Sequence, residues 1–105
     1  MTSVKFYLQE GLLSGFDVSG HSTSSVDDET GKIVCSAVSS ASYLVANTIS
    51  EIIGAEIDAQ VSDGHMSVKL KGQLSECQDL LKGFKLHMQE LAKQYHNYLK
   101  VYSEV

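Results

Sequence analysis

Ala55-Glu56-Ile57-Asp58-Ala59-Gln60-Val61-Ser62-Asp63-Gly64-His65-Met66-Ser67-Val68-Lys69-Leu70 decides the fold, because it sits between two helical stretches and reads as neither. Ala55, Ile57, Ala59 and Val61 alternate with polar residues, the pattern of a half-buried strand. Asp63-Gly64 is a strong hairpin turn, and Met66, Val68 and Leu70 alternate on the return.

Upstream, Val34, Val38, Ala41, Val45, Thr48 and Ile52 recur at helical spacing. A helix over Ile33 to Ile53 is therefore predicted, with Gly54 as its stop. Ile33, Ala37, Leu44, Ile49 and Ile53 widen its apolar stripe, so it is expected to be covered by the sheet on one side and by a second subunit on another. Downstream, Ser75-Glu76-Cys77-Gln78 has the form of a capping box opening a second helix. That helix would bury Cys77, Leu81, Phe84, Met88, Leu91 and Tyr95. Near the N-terminus, Val4, Phe6 and Leu8 alternate over residues 3–9, Glu10-Gly11 is a turn, and Leu12 to Ser19 returns as a second strand. The tail from Tyr98 to Val105 alternates and reads as a last strand. The order is ββαββα(β), which predicts an α+β fold: two helices packed on a mostly antiparallel sheet. With no proline, internal repeat or linker-like stretch, residues 1–105 read as a single domain.

The chain has 105 residues, 43% of them apolar, enough for one core. Its formal charge is -5, from 8 lysines and 13 acidic residues. An acidic chain without arginine is poorly suited to direct nucleic-acid binding, where phosphate contacts dominate affinity. Its field would instead attract a basic protein. No apolar run approaches the roughly 20 residues of a membrane helix, and no secretory leader is legible, so a cytoplasmic location is expected. Two cysteines, Cys35 and Cys77, do not make a disulfide framework.

Chemistry concentrates between Gly20 and Ser39. His21 follows Gly20 at a strand end, where glycine permits a sharp change of direction. Ser22 to Gly31 is a polar loop, expected to be exposed and mobile. Cys35 then falls near the expected helix start, where unpaired N–H groups favour a thiolate and a nearby imidazole stabilises it. The candidate site is therefore a Cys35-His21 pair. The backbone N–H groups of Cys35 and Ser36 would form an oxyanion hole at that free helix start. Ser39, one turn on, either supports the site or bonds its own helix backbone. Asp27, Asp28 and Glu29 are either a solvated charge run or the source of a carboxylate that orients His21 or contacts a basic substrate. Cys77 lies on an apolar stripe and reads as core. His65, His87 and His96 have no metal-ligand spacing, and no third ligand joins His21 and Cys35, so neither a metal nor another cofactor is expected.

These residues resemble the ribosomal-processing cysteine protease (YsxB-like) family. Its pattern is Gly-His, a short loop, then Gly-x-Asp-Ile-Val-Cys-x-Ala-x-Ser. Gly20, His21, Gly31, Ile33, Val34, Cys35, Ala37 and Ser39 match. Lys32 stands where the family has Asp, and the loop is slightly long. The resemblance leaves open whether Asp27, Asp28, Glu29 or no acid partners the histidine. It implies a cysteine endopeptidase with His21 and Cys35 catalytic. Gly20, Ser36, Ser39 and Asp28 are expected to support the site or touch substrate. It also implies a homodimer, and a substrate in the N-terminal extension of large-subunit ribosomal protein twenty-seven, removed during ribosome assembly. Two other classes fit the residues: a non-catalytic module binding a ribosomal or other basic protein, and a thiol hydrolase or redox-sensitive protein with a different substrate.

Overall fold

The computed structural model describes residues 1–20 and 28–104. His21, most of the polar loop after it and Val105 lie outside the described residues.

β1 (Thr2–Gln9) and β2 (Leu12–Ser19) form an antiparallel hairpin. Strict alternation along β2 would put Leu13 and Phe16 on opposite faces. A register shift between Tyr7 and Leu8 gives β2 an extra residue, so Leu13 and Phe16 are both buried. Just past the bulge, Gln78 bonds the Leu13 backbone through both ends of its amide. Leu13 N–H donates to Gln78 Oε1 at 2.8 Å, while Gln78 Nε2 donates to Leu13 O and Leu74 O, each at 2.8 Å. A buried amide is tolerated here because both of its ends are satisfied.

This use of Gln78 explains why no capping box forms. Helix α2 (Leu74–Gln94) starts one residue before Ser75, and its N-cap is Gln73, which makes no side-chain capping bond. Gln73 Nε2 instead reaches Glu76 Oε2 at 3.1 Å. The expected stripe of α2 otherwise holds: Cys77, Leu81, Phe84 and Met88 are buried, with Leu91 and Tyr95 packed at its end.

Helix α1 (Glu29–Asn47) continues through a π-helical stretch, Thr48–Ile53. Its start lies upstream of the expected Ile33. The expected stripe holds at Val34, Val38, Val45 and Ile49 but fails at Ile52, which falls in the π-helical stretch. Ser42, Val45 and Ile49 turn inward, whereas Ile52 is 80% exposed. Ser42 remains buried because its hydroxyl donates to Val38 O at 2.7 Å. The helical run Glu29–Ile53 is, by length and composition, long and apolar enough to cross a membrane, contrary to the expectation from apolar runs. A core helix passes the same test, and Val34, Val38 and Ile49 are committed to the core.

β3 (Ile57–Ser62) and β4 (His65–Leu70) make the expected hairpin, and β5 (Leu99–Glu104) pairs parallel with β1. The sheet order is β3-β4-β2-β1-β5. Two helices thus pack on a five-stranded, mostly antiparallel sheet in the order ββαββα(β). β3 lies at the sheet edge, so Ala59 and Val61, expected to be half-buried, are exposed. Phe6, Phe16 and Phe84 meet at the centre, with ring centroids 4.8–6.4 Å apart.

Candidate active site

β2 is followed directly by Gly20, which has φ +86. A side chain there would place Cβ 2.4 Å from Met1 O, so only glycine fits. Gly20 N–H donates to Gly64 O at 2.9 Å, tying the strand end to the β3–β4 turn. Gly64 itself has φ +73. The chain therefore leaves β2 beside that turn, and the next residue is His21.

A pocket of about 160 Å³ opens at this junction, its walls including Gly20, Cys35, Ser39, Tyr43, Val61 and His65. Cys35 is half-buried, and Ser39, one turn on, shares the pocket with it. Ser36 is exposed and does not line the pocket.

Helix α1 begins almost two turns before Cys35, and Asp28 is the reason. Its carboxylate accepts from Gly31 N–H at 3.0 Å, and its carbonyl accepts the helix bond from Lys32 N–H. Tyr98 OH lies 3.5 Å from the same carboxylate. Asp28 is thus a helix cap, not merely a member of a solvated run. The Cys35 and Ser36 N–H groups lie inside the helical ladder, pointing back towards carbonyls one turn earlier. They are not the free donors expected of an oxyanion hole. The dipole at the helix start also fades within the first turn, so it adds little at Cys35.

At the edge of the pocket, on the sheet face away from α1, strand pairing assembles a polar cluster that pattern reading passed over. His65 Nε2 lies 2.6 Å from Asp17 Oδ1, and Tyr7 OH donates to Asp17 Oδ2 at 3.1 Å. Burial, and then the bond to Asp17, push the Tyr7 phenol up from its ordinary pKa. The available signal was a repeated dipeptide: Gly64-His65 echoes Gly20-His21, and pairing of β2 with β4 sets Ser19 opposite His65. His87 and His96 are exposed on and just beyond α2. Among the described residues, no group of three or more His, Cys, Asp or Glu converges to hold a metal.

Cys77 is 0% exposed, and burial pushes its thiol pKa up. The thiolate is the reacting form, so Cys77 is protected both sterically and chemically. Brief alkylation at neutral pH is expected to label Cys35 before Cys77, as peptide mass mapping will show. Earlier labelling of Cys77 would reverse the roles assigned to the two thiols.

The family model for cysteine protease Prp matches residues 1–100. Among solved structures, SMU.848 from Streptococcus mutans is 24% identical, with 99% of this chain and 96% of that chain covered and a TM-score of 0.83. The ribosomal processing protease Prp from S. aureus, in complex with a covalently linked product peptide, is 18% identical, with 99% and 100% covered and a TM-score of 0.85. A hypothetical protein from Staphylococcus aureus is 16% identical at the same coverage, with a TM-score of 0.76. At these identities the structures establish a shared fold. Comparison with curated proteins gives no match. The family match spans nearly the whole sequence and includes both the Gly20-His21 block and the Gly31-to-Ser39 block: the chain belongs to the cysteine protease Prp family.

Proposed function

We propose that this chain is a cysteine endopeptidase that removes the N-terminal extension of large-subunit ribosomal protein twenty-seven during ribosome assembly. The observation that carries the reading is the family match over residues 1–100, with Cys35 on a pocket whose other wall includes the residue preceding His21. The S. aureus relative is a ribosomal processing protease, and it has been seen both with a substrate peptide and with a covalently linked product peptide. A basic ribosomal precursor also suits the acidic charge of this chain.

In this mechanism the Cys35 thiolate attacks the scissile carbonyl carbon, and the tetrahedral intermediate collapses to a thioester as the C–N bond breaks. His21 gives its proton to the departing amine. It then takes a proton from water, which attacks the thioester and releases the acid product and the thiol. Ser39 faces the same pocket and is positioned to support the bound peptide. The oxyanion is stabilised by donors other than the helical N–H groups of Cys35 and Ser36. Both thiols stay reduced in the cytoplasm, the location proposed for the reaction.

The test is incubation with the extended ribosomal precursor. A single cut that shortens its N-terminus is expected. An intact precursor overturns the protease reading, and stable binding without cutting would turn it into the non-catalytic module.

The protein is also proposed to act as a homodimer. On the outer side of α1, Ile33 is 56% exposed, Leu44 66% and Ile52 80%, successive large apolar groups along one helix. Burying each fully is worth about 1.5–3 kcal/mol, a strong drive towards a second copy. Sedimentation equilibrium is expected to give about twice the 11.4 kDa chain mass. A single-chain mass at micromolar concentration would sink this assignment.

A further inference from the structure

We infer that the free edge of β3 binds the substrate backbone as an added strand and so leads an extended peptide past Cys35; this rests on the protease reading above. β3 is the outermost strand of the sheet, paired through β4 alone. The short connection Gly54 to Glu56 turns the chain back beside the end of the α1 helical run. β3 therefore runs back towards the pocket, and its last residues, Val61 and Ser62, line it together with Cys35, Ser39 and Tyr43. A peptide whose scissile carbonyl sits at Cys35 lies against that strand end.

The phase of the ladder sets which backbone groups are available. Ser62 and His65 close the Asp63-Gly64 turn, and Lys71 N–H donates to Glu56 O at 2.9 Å. Both mark residues 56, 58, 60 and 62 as those bonded to the β4 side. Ile57, Ala59 and Val61 therefore aim N–H and C=O away from β4, and among the described residues no backbone bond engages them there. Their side chains share the helix-facing side with Leu70, Val68 and Met66. Val61 is 57% exposed and Ala59 is exposed too, so no helix covers this margin of the sheet. Edge strands are commonly guarded by lysine, proline or a bulge. β3 has no lysine or proline, and its register with β4 is unbroken. From Ile57 to Val61 the unguarded edge spans roughly 13 Å, room for about four peptide residues. A strand added there bonds to alternate residues of β3. Every second side chain of the peptide then falls beside Val61 and Ala59, towards Tyr43, another wall of the pocket. The edge ends in the pocket that holds the nucleophile, which assigns it to substrate rather than to a second copy.

The probe is a set of fluorogenic peptides spanning the cleavage junction of the ribosomal precursor, each N-methylated at one residue outside the scissile bond. N-methylation removes a donor and blocks strand pairing. On one side of the junction KM is expected to rise about tenfold at alternate residues and by less than about twofold at those between, with kcat little changed. Ala59→Pro removes an outward N–H without touching the β4 ladder, at a position where an edge strand accepts proline. It is expected to raise KM about tenfold while keeping the far-ultraviolet circular dichroism of the unmodified chain. Gln60→Ala, whose side chain lies on the opposite sheet face, is expected to keep KM within about twofold. Methylated peptides that show no alternation on either side overturn the inference and leave the protease reading standing. They need only the unmodified chain, so a misfolded Ala59→Pro does not shield it. An unchanged KM in folded Ala59→Pro overturns it as well, and a lower sedimentation mass in that variant would give the edge to a second copy. No cleavage of the unmethylated peptide by the unmodified chain removes the protease reading, and this inference with it.

Discussion

Cys35→Ala is expected to abolish cleavage of the extended precursor, lowering kcat by about four powers of ten or more, and to leave the fold intact. The magnitude follows from the role: without a nucleophile, only binding and electrostatic stabilisation remain. The intact fold follows from placement. Cys35 is half-buried at a pocket wall, and the core is built without it. Loss of one sulfur there should move stability by less than about 1 kcal/mol, as for other partly exposed positions. Cys77→Ala gives the reverse pattern. It leaves a void under α2, where Cys77 is 0% exposed, so it costs stability while cleavage continues. Rates on the precursor, read beside thermal melts of both variants, separate the two roles. Cleavage at the unmodified rate by Cys35→Ala would end the protease reading.

The elements were legible because each obeys a simple period. β4 and α2 alternate or repeat as their burial requires, and the turns at Glu10-Gly11 and Asp63-Gly64 each place a glycine at positive φ. The errors arose where a non-local partner outweighed a local pattern. Gln78 completes a capping box on paper, but the bulged backbone of Leu13 claims its amide. Ile52 continues the heptad-like spacing of α1, but it falls in the π-helical stretch and is 80% exposed, while Ile49 of the widened stripe is buried. Asp28 looks like one acid in a run, yet its capping bond starts α1 early and removes the free N–H groups expected at Cys35.

The site was legible only in part. Gly20, Cys35 and Ser39 were found by spacing and motif, and the fold gathers all three at one pocket. His21 lies outside the described residues. His65 and Asp17 were missed because 48 positions separate them and no local rule joins them. They meet through strand pairing: β2 runs against β4 with Ser19 opposite His65, so Asp17 and His65 lie two residues apart along adjoining strands. Sheet register, not sequence proximity, brings this pair together.

Phe84→Ala is expected to destabilise the protein by about 3–5 kcal/mol, the usual range for losing a buried phenylalanine. That is a large share of the roughly 5–15 kcal/mol available to a domain of this size. Phe84 projects from α2 between Phe6 of β1 and Phe16 of β2, with centroids at 5.5 and 4.8 Å and both pairs near edge-to-face. Each such pair adds about 0.5–1.5 kcal/mol beyond area burial, so truncation loses two at once. The cavity cannot collapse easily, because its walls belong to a hairpin fixed by its ladder and to a helix fixed by Gln78. The effect reaches function through β2. Phe16 points into this cluster, and its neighbour Asp17 points to the opposite face and clamps His65. β2 also leads to Gly20 at the pocket edge, so a loosened β2 disturbs that edge, and activity should fall at temperatures below the global melt. Urea titration followed by far-ultraviolet circular dichroism reads the stability change, and cleavage against temperature reads the second effect. A loss under about 1 kcal/mol would show that the three rings touch without holding the helix to the sheet.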